Sequence, residues 1–329
     1  MLEGIGVRLS TGASLAPRLL RMSLDPKAFP IQHATVREGV ELAFIRAGEG
    51  GYPLLLLHGW PETMRIWWRN IEPLAEAGFE VIVPDLRGFG LSGLAPDGAY
   101  DLAAHARDVY ALVHDVLGHE RCCAAGGDLG GGVVQDLGLR FEGFVERQIL
   151  FNTILPILPE QYAAAGLPAD TSPRVRQALD YYLRQGGDAD GLAAELATVE
   201  QRRRYISQFY GSRFWATPGA FTRDEVDFMT EPFSDADHLR AGFGNYESAI
   251  GNRPLSEAPK FFEISAVPTV ALYGPDDHVI WPDFCERCEV AFSDLVGPFV
   301  VARAGHFLQW ERADLLNNTV IAVLRDRLR

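Results

Sequence analysis

At 329 residues, 47% hydrophobic and 22% charged, the chain is long enough for a large buried core, and its composition excludes disorder over its whole length. A formal net charge of -14 argues against nucleic acid and anionic membrane as partners. Four cysteines are too few for a disulfide scaffold of this size, and reduced thiols suggest an intracellular, cytoplasmic protein.

Residues 1 to about 30 contain Arg8, Arg18 and Arg21 but no continuous apolar stretch, so they read as an irregular leader and not as a signal peptide. No stretch is long and apolar enough to suggest a membrane span. Val40 to Ile45 alternates in the manner of a strand. Leu54 to Leu57, Val81 to Val83 and Arg121 to Ala125 are short apolar runs, each ending in a polar or glycine-rich corner. Buried parallel strands need such runs, apolar on both faces. Leu102 to Leu117 has helical spacing. From 152 to 258 the chain is almost free of strand-like runs and reads as a helical insertion. Strand pattern returns at Val267 to Tyr273 and at Pro298 to Ala302, and a final helix is expected over Leu308 to Leu328. The implied class is α/β, a mostly parallel sheet with helices on both faces. The core would comprise 31–151 and 259–329, with 152–258 set upon it.

Three polar residues fall just past predicted strand ends, where open α/β sheets build their sites. Asp128 sits in Gly126-Gly127-Asp128-Leu129-Gly130, whose small flanking residues permit a sharp strand-to-helix corner. Such a corner lifts the central side chain above the sheet. Gly274-Pro275-Asp276-Asp277-His278 and Gly305-His306-Phe307 follow the last two strands. The order Asp128, Asp277, His306 is nucleophile, acid, base. Asp276 competes with Asp277 for the acid role. Cys122 and Cys123 read as core residues, and Cys285 and Cys288 as two thiols on one helix face with no second pair at zinc spacing.

His58-Gly59-Trp60-Pro61-Glu62, the block from Asp85 to Ser92, the Asp-centred corner and the block from Gly305 to Glu311 resemble those of α/β-hydrolase-fold epoxide hydrolases and their dehalogenase relatives. The resemblance covers roughly residues 33 to 329. It implies an eight-stranded, mostly parallel sheet and a helical cap inserted after the sixth strand. It implies two oxyanion donors, the N–H groups of Trp60 and Leu129. It also implies two cap tyrosines that protonate the epoxide oxygen. Tyr246 matches the late-cap motif, although Glu247 stands where the family often has Arg. For the first tyrosine, Tyr182 fits best when the cap is laid against relatives without gaps, with Tyr181 beside it.

The expected chemistry is opening of a small apolar epoxide to a vicinal diol through an Asp128 ester, which water activated by His306 and Asp277 then cleaves. No cofactor and no metal is called for, and a homodimer is left open. A haloalkane or haloacid dehalogenase is the alternative. Dehalogenases usually place Trp or Arg after the nucleophile, whereas Leu129 and Gly132 stand here. A receptor-like relative that binds without turnover is the reading from another class. Gly127, where the family commonly has His, and Leu129, where it commonly has Trp, suggest a roomier or differently shaped pocket.

Overall fold

The computed structural model describes residues 24–37, 39–169, 176–212 and 214–328, apart from the side chains of 176–179. Most of the leader therefore lies outside the described residues. Eight strands form one sheet in the order β1-β2-β4-β3-β5-β6-β7-β8. They are β1 (Ile31–Arg37), β2 (Val40–Ala47), β3 (Tyr52–Leu57), β4 (Phe79–Pro84), β5 (Cys122–Gly127), β6 (Val145–Thr153), β7 (Thr269–Tyr273) and β8 (Leu295–Val300). β2 runs antiparallel to β1 and β4, and the remaining pairs are parallel. This is the eight-stranded, mostly parallel sheet that the resemblance implies.

The central strands carry the core. Leu54, Leu55, Leu56 and Leu57 are 0% exposed, and each such side chain contributes roughly 1.5–3 kcal/mol on burial. Cys122 and Cys123 are buried in β5. Helices α1 (Trp68–Glu76), α2 (Leu102–Tyr110) and α3 (Asp128–Arg140) follow β3, β4 and β5. α2 is regular only to Tyr110; from Ala111 to Val116 its turns widen, with the Leu117 N–H donating to the Leu112 carbonyl.

Between β6 and β7 lie α4 (Pro159–Ala164), α5 (Arg176–Gly187), α6 (Ala189–Glu195), α7 (Val199–Gly211), α8 (Arg223–Thr230), α9 (Ala236–Gly242) and α10 (Gly244–Ala249). Their inward residues, among them Ile206, Phe209, Phe243 and Tyr246, join the same apolar core as the sheet. α11 (Phe284–Ala291) connects β7 to β8 and carries both Cys285 and Cys288. Among the described residues no group of His, Cys, Asp and Glu side chains is placed to hold a metal, and no helix is long and apolar enough to cross a membrane.

Two expectations shift near the C-terminus. The last strand starts at Leu295, three residues earlier than its apolar pattern suggests. It is a sheet edge with Val296, Phe299 and Val300 exposed, so apolarity there does not mark burial. The single final helix breaks into α12 (Leu308–Glu311) and α13 (Ala313–Val323). Arg312 leaves helical geometry at φ -133°, ψ 48°, and its guanidinium reaches the Ala302 carbonyl and Asp314.

Candidate active site

Asp128 stands at the first residue of α3 with φ 45°, a left-handed conformation that is rare outside glycine. Such outliers cluster at functional sites, where the surroundings hold the backbone in place. The holding contacts are visible. The Thr153 hydroxyl donates to the Asp128 carbonyl at 2.5 Å. A Cβ on Gly126 would lie 2.6 Å from the Gly130 backbone, and one on Gly59 would lie 2.5 Å from the Asp128 Cβ. Close approach, on both sides of the corner, therefore demands glycine.

The Trp60 N–H donates to Asp128 Oδ1 at 2.7 Å. Leu129 follows Asp128 in the first turn of α3, where backbone N–H groups have no partner inside the helix. The turn that aims the Trp60 N–H is itself braced. His58 donates from Nδ1 to the Gly59 carbonyl at 2.8 Å and accepts the Leu86 N–H on Nε2 at 2.9 Å. That pattern needs a neutral ring, and burial lowers the His58 pKa to about 4. Glu62 accepts the Gly59 N–H at 2.6 Å and is held by Gln309 at 3.0 Å. Burial pushes Glu62 up to about 7, and the nearby Asp128 charge adds to the shift. Asp85 accepts the N–H groups of Met64 and Leu91, so the Asp85–Ser92 block braces this corner and supplies no reacting group.

On the other side of the Asp128 corner, His306 Nε2 lies 3.3 Å from Asp128 Oδ2, and Nδ1 lies 2.8 Å from Asp277 Oδ2. Burial disfavours the charged imidazole, but the carboxylates of Asp277 and Asp128 outweigh it and hold the His306 pKa well above the usual value. Asp277 also accepts the N–H groups of Val279 and Ile280 on Oδ1. Asp276 points elsewhere and accepts the Thr217 hydroxyl at 2.9 Å. Asn152, at φ 40°, donates to Asp277 Oδ2 at 2.9 Å and exchanges two hydrogen bonds with the Gly274 backbone. Asn152 escapes the sequence reading, although it sits just past the apolar run Ile149 to Phe151, as Asp128 sits past its own.

Tyr246 is buried on α10. Its neighbours anchor the helix: Asn245 is 2.9 Å from His105 Nε2 on α2, and Glu247 pairs with Arg240 and Arg253. The departure at Glu247 thus forms a local double ion pair beside Tyr246.

The structure brings Tyr181, and not the expected Tyr182, to this space. Tyr181 stacks on Trp60 at 5.6 Å and 5° and meets Tyr246 edge-on. Burial raises both hydroxyls well above the usual tyrosine value, and the Asp128 charge adds to each, so both stay protonated at neutral pH. Tyr182 packs on the Tyr246 ring at 5.4 Å, and burial alone raises its pKa. Successive helical side chains diverge by about 100°, so a placement one residue off selects a different face.

At Gly127 the space beside the glycine is already taken. A Cβ there would lie 2.4 Å from the Phe151 ring, which fills that side. Aromatic rings also gather beside Tyr181, where Trp60, Phe209 and Trp215 pack on one another.

Residues 52–313 match the family described as alpha/beta hydrolase fold. The chain is 40% identical over 316 residues to epoxide hydrolase A of Mycobacterium tuberculosis, covering 86% of this chain and 94% of that one. It is 27% identical over 297 residues to a soluble epoxide hydrolase of a Corynebacterium species, covering 88% and 95%. Among solved structures, an epoxide hydrolase called CorEH, without ligand, superposes with a TM-score of 0.77 at 25% identity, covering 91% of this chain and 100% of that one.

Proposed function

Because the chain belongs to the α/β-hydrolase-fold family and is similar along most of its length to epoxide hydrolases, we propose that it hydrolyses small apolar epoxides to vicinal diols through an ester on Asp128. The observation that carries this reading is the carboxylate at the strained corner, with an imidazole behind it and two protonated tyrosines, Tyr181 and Tyr246, grouped near it. In it the helices between β6 and β7 act as a cap. A compartment that keeps thiols reduced suits the four free cysteines.

The two oxygens of Asp128 have different surroundings. Oδ1 is held by the Trp60 N–H, which leaves Oδ2 to attack an epoxide carbon. The C–O bond of the ring breaks, and the departing oxygen takes a proton from Tyr181 or Tyr246. The tyrosinate is reprotonated from water. His306 then takes a proton from a second water, whose oxygen adds to the Asp128 carbonyl carbon. The N–H groups of Trp60 and Leu129 stabilise the oxyanion, and losing one such donor costs about 2.7–4 kcal/mol in comparable sites. Collapse releases the diol, which takes the proton back from His306, and the Asp128 acid that remains loses its proton to solvent, balancing the one that the tyrosinate drew from water. The dehalogenase alternative needs halide donors after the nucleophile, where Leu129 stands.

The test is a single turnover in heavy-oxygen water with enzyme in excess. The diol should carry the ordinary oxygen of Asp128, and the heavy label should enter the peptide from Gly126 to Gly132. A fully labelled first-turnover diol with an unlabelled peptide would sink the covalent reading. Release of halide from a haloalkane, with no diol from styrene oxide, would favour the dehalogenase.

A further inference from the structure

The cap sends one short segment, Phe214 to Thr217, down between the acid loop and the base loop. Its backbone and one side chain bind both. The His278 N–H, next to Asp277, donates to the Phe214 carbonyl at 2.9 Å. The His306 N–H donates to the Trp215 carbonyl at 2.6 Å, and the Trp215 ring meets the His306 ring at 4.6 Å and 78°. The Thr217 hydroxyl donates to Asp276 at 2.9 Å.

Glu311 closes this arrangement from below. Its Oε2 accepts the N–H groups of Thr217 and Gly305, each at 2.9 Å, and its Oε1 accepts the Phe307 N–H at 3.0 Å. One carboxylate therefore grips the backbone on both sides of His306 and the cap segment together. The fit is close, since a Cβ on Gly305 would lie 2.5 Å from the Trp215 carbonyl oxygen.

We propose that Thr217 and Glu311 are positioning residues that lock the His306 and Asp277 loops to the cap segment Phe214–Thr217, so that cleavage of the ester depends on how the cap is seated. The proposal rests on the reading of Asp128 and His306 above. Neither residue touches the reacting atoms. Alkylation needs Asp128 and the tyrosines, whereas water activation needs the imidazole aligned, and misplacement by about 1 Å can cost on the order of 100-fold.

Glu311→Gln leaves one acceptor oxygen for three N–H groups and turns an amide donor on at least one of them. Thr217→Val removes only the hydroxyl, and Thr217→Ser restores it. Rapid quench with styrene oxide, followed by the mass of the Asp128 peptide, separates ester formation from ester cleavage. Glu311→Gln and Thr217→Val should form ester within about threefold of the wild-type rate and cleave it roughly 10- to 100-fold more slowly, so that ester accumulates. Thr217→Ser should restore cleavage. In protein labelled at histidine nitrogen, the Nδ1 proton signal of His306 should shift or broaden in the first two variants. If Glu311→Gln fails to fold, Thr217→Val carries the same comparison. Cleavage at the wild-type rate in a folded variant, or equal loss of both steps, overturns the proposal. Absence of any ester in the wild type sinks the epoxide reading instead. The His306 signal then still decides the positioning role, and an unchanged signal overturns it.

Discussion

The rings of Tyr181 and Tyr246 meet edge-on, with centroids 5.6 Å apart and planes at 84°. One comes from α5 and the other from α10, so the pair exists only when these two helices pack together.

Removing either hydroxyl should slow ring opening and spare the fold. Tyr181→Phe and Tyr246→Phe are each expected to lower the alkylation rate about tenfold or more, and the double variant far more. Tyr182→Phe should leave alkylation unchanged. Stopped-flow Trp fluorescence or quench of the Asp128 ester would measure it. A loss in Tyr182→Phe with none in Tyr181→Phe would return the role to Tyr182.

His306 shares its two carboxylate neighbours unequally through the cycle. In the free enzyme burial opposes its charge, while Asp277 and Asp128 raise its pKa well above the usual value. The ester removes the charge of Asp128. The His306 pKa must then fall, which frees the neutral imidazole to act as base at lower pH. Ester cleavage should therefore rise with pH through an apparent pKa below that of His306 titrated by NMR in the free enzyme. Asp277→Asn should lower that pKa and slow cleavage by about 100-fold or more, because the ring loses its orienting partner. Asp276→Asn should leave the His306 titration in place. Coincident pKa values in the free and alkylated enzyme would mean that Asp128 is not the alkylated group.

Gly127 and Phe151 share one volume. Gly127→Ala drives a methyl toward the Phe151 ring and should cost roughly 1–3 kcal/mol of stability. Phe151→Leu in the same chain should recover part of that loss, giving a coupling energy in a double-mutant cycle. Additive losses in urea unfolding would show that the ring does not fill the site.

Much of the sheet and the Asp128 corner is legible because it obeys local rules. Leu54 to Leu57 must be buried, and Gly126 and Gly130 must be small, because a Cβ on the first would meet the Gly130 backbone and one on the second the carbonyls of Leu57 and His58. The choice between Asp276 and Asp277 is not local. Two adjacent carboxylates look alike in sequence, and only the fold shows that one meets His306 and the other Thr217. Tyr181 and Tyr182 pose the same problem on a helix, where one step of rotation decides which ring enters. Phe151 hides for another reason: it reads as one more apolar strand residue, and nothing in its spacing says that it fills the space over Gly127. The exposed β8 inverts the rule that apolar means buried, since it lies at the sheet edge.

The neighbouring strands β6 and β7 are parted in the chain by everything from Ile154 to Pro268. During synthesis at about 5–20 residues per second, the ribosome must work for roughly 6 to 23 seconds before β7 exists to cover β6. Throughout that interval a nascent sheet ending in the apolar run Ile149 to Phe151 has an open side. Asp128 is made early and His306 only after β7 and β8, so in the proposed mechanism the half-made chain carries a nucleophile with no means of turning over.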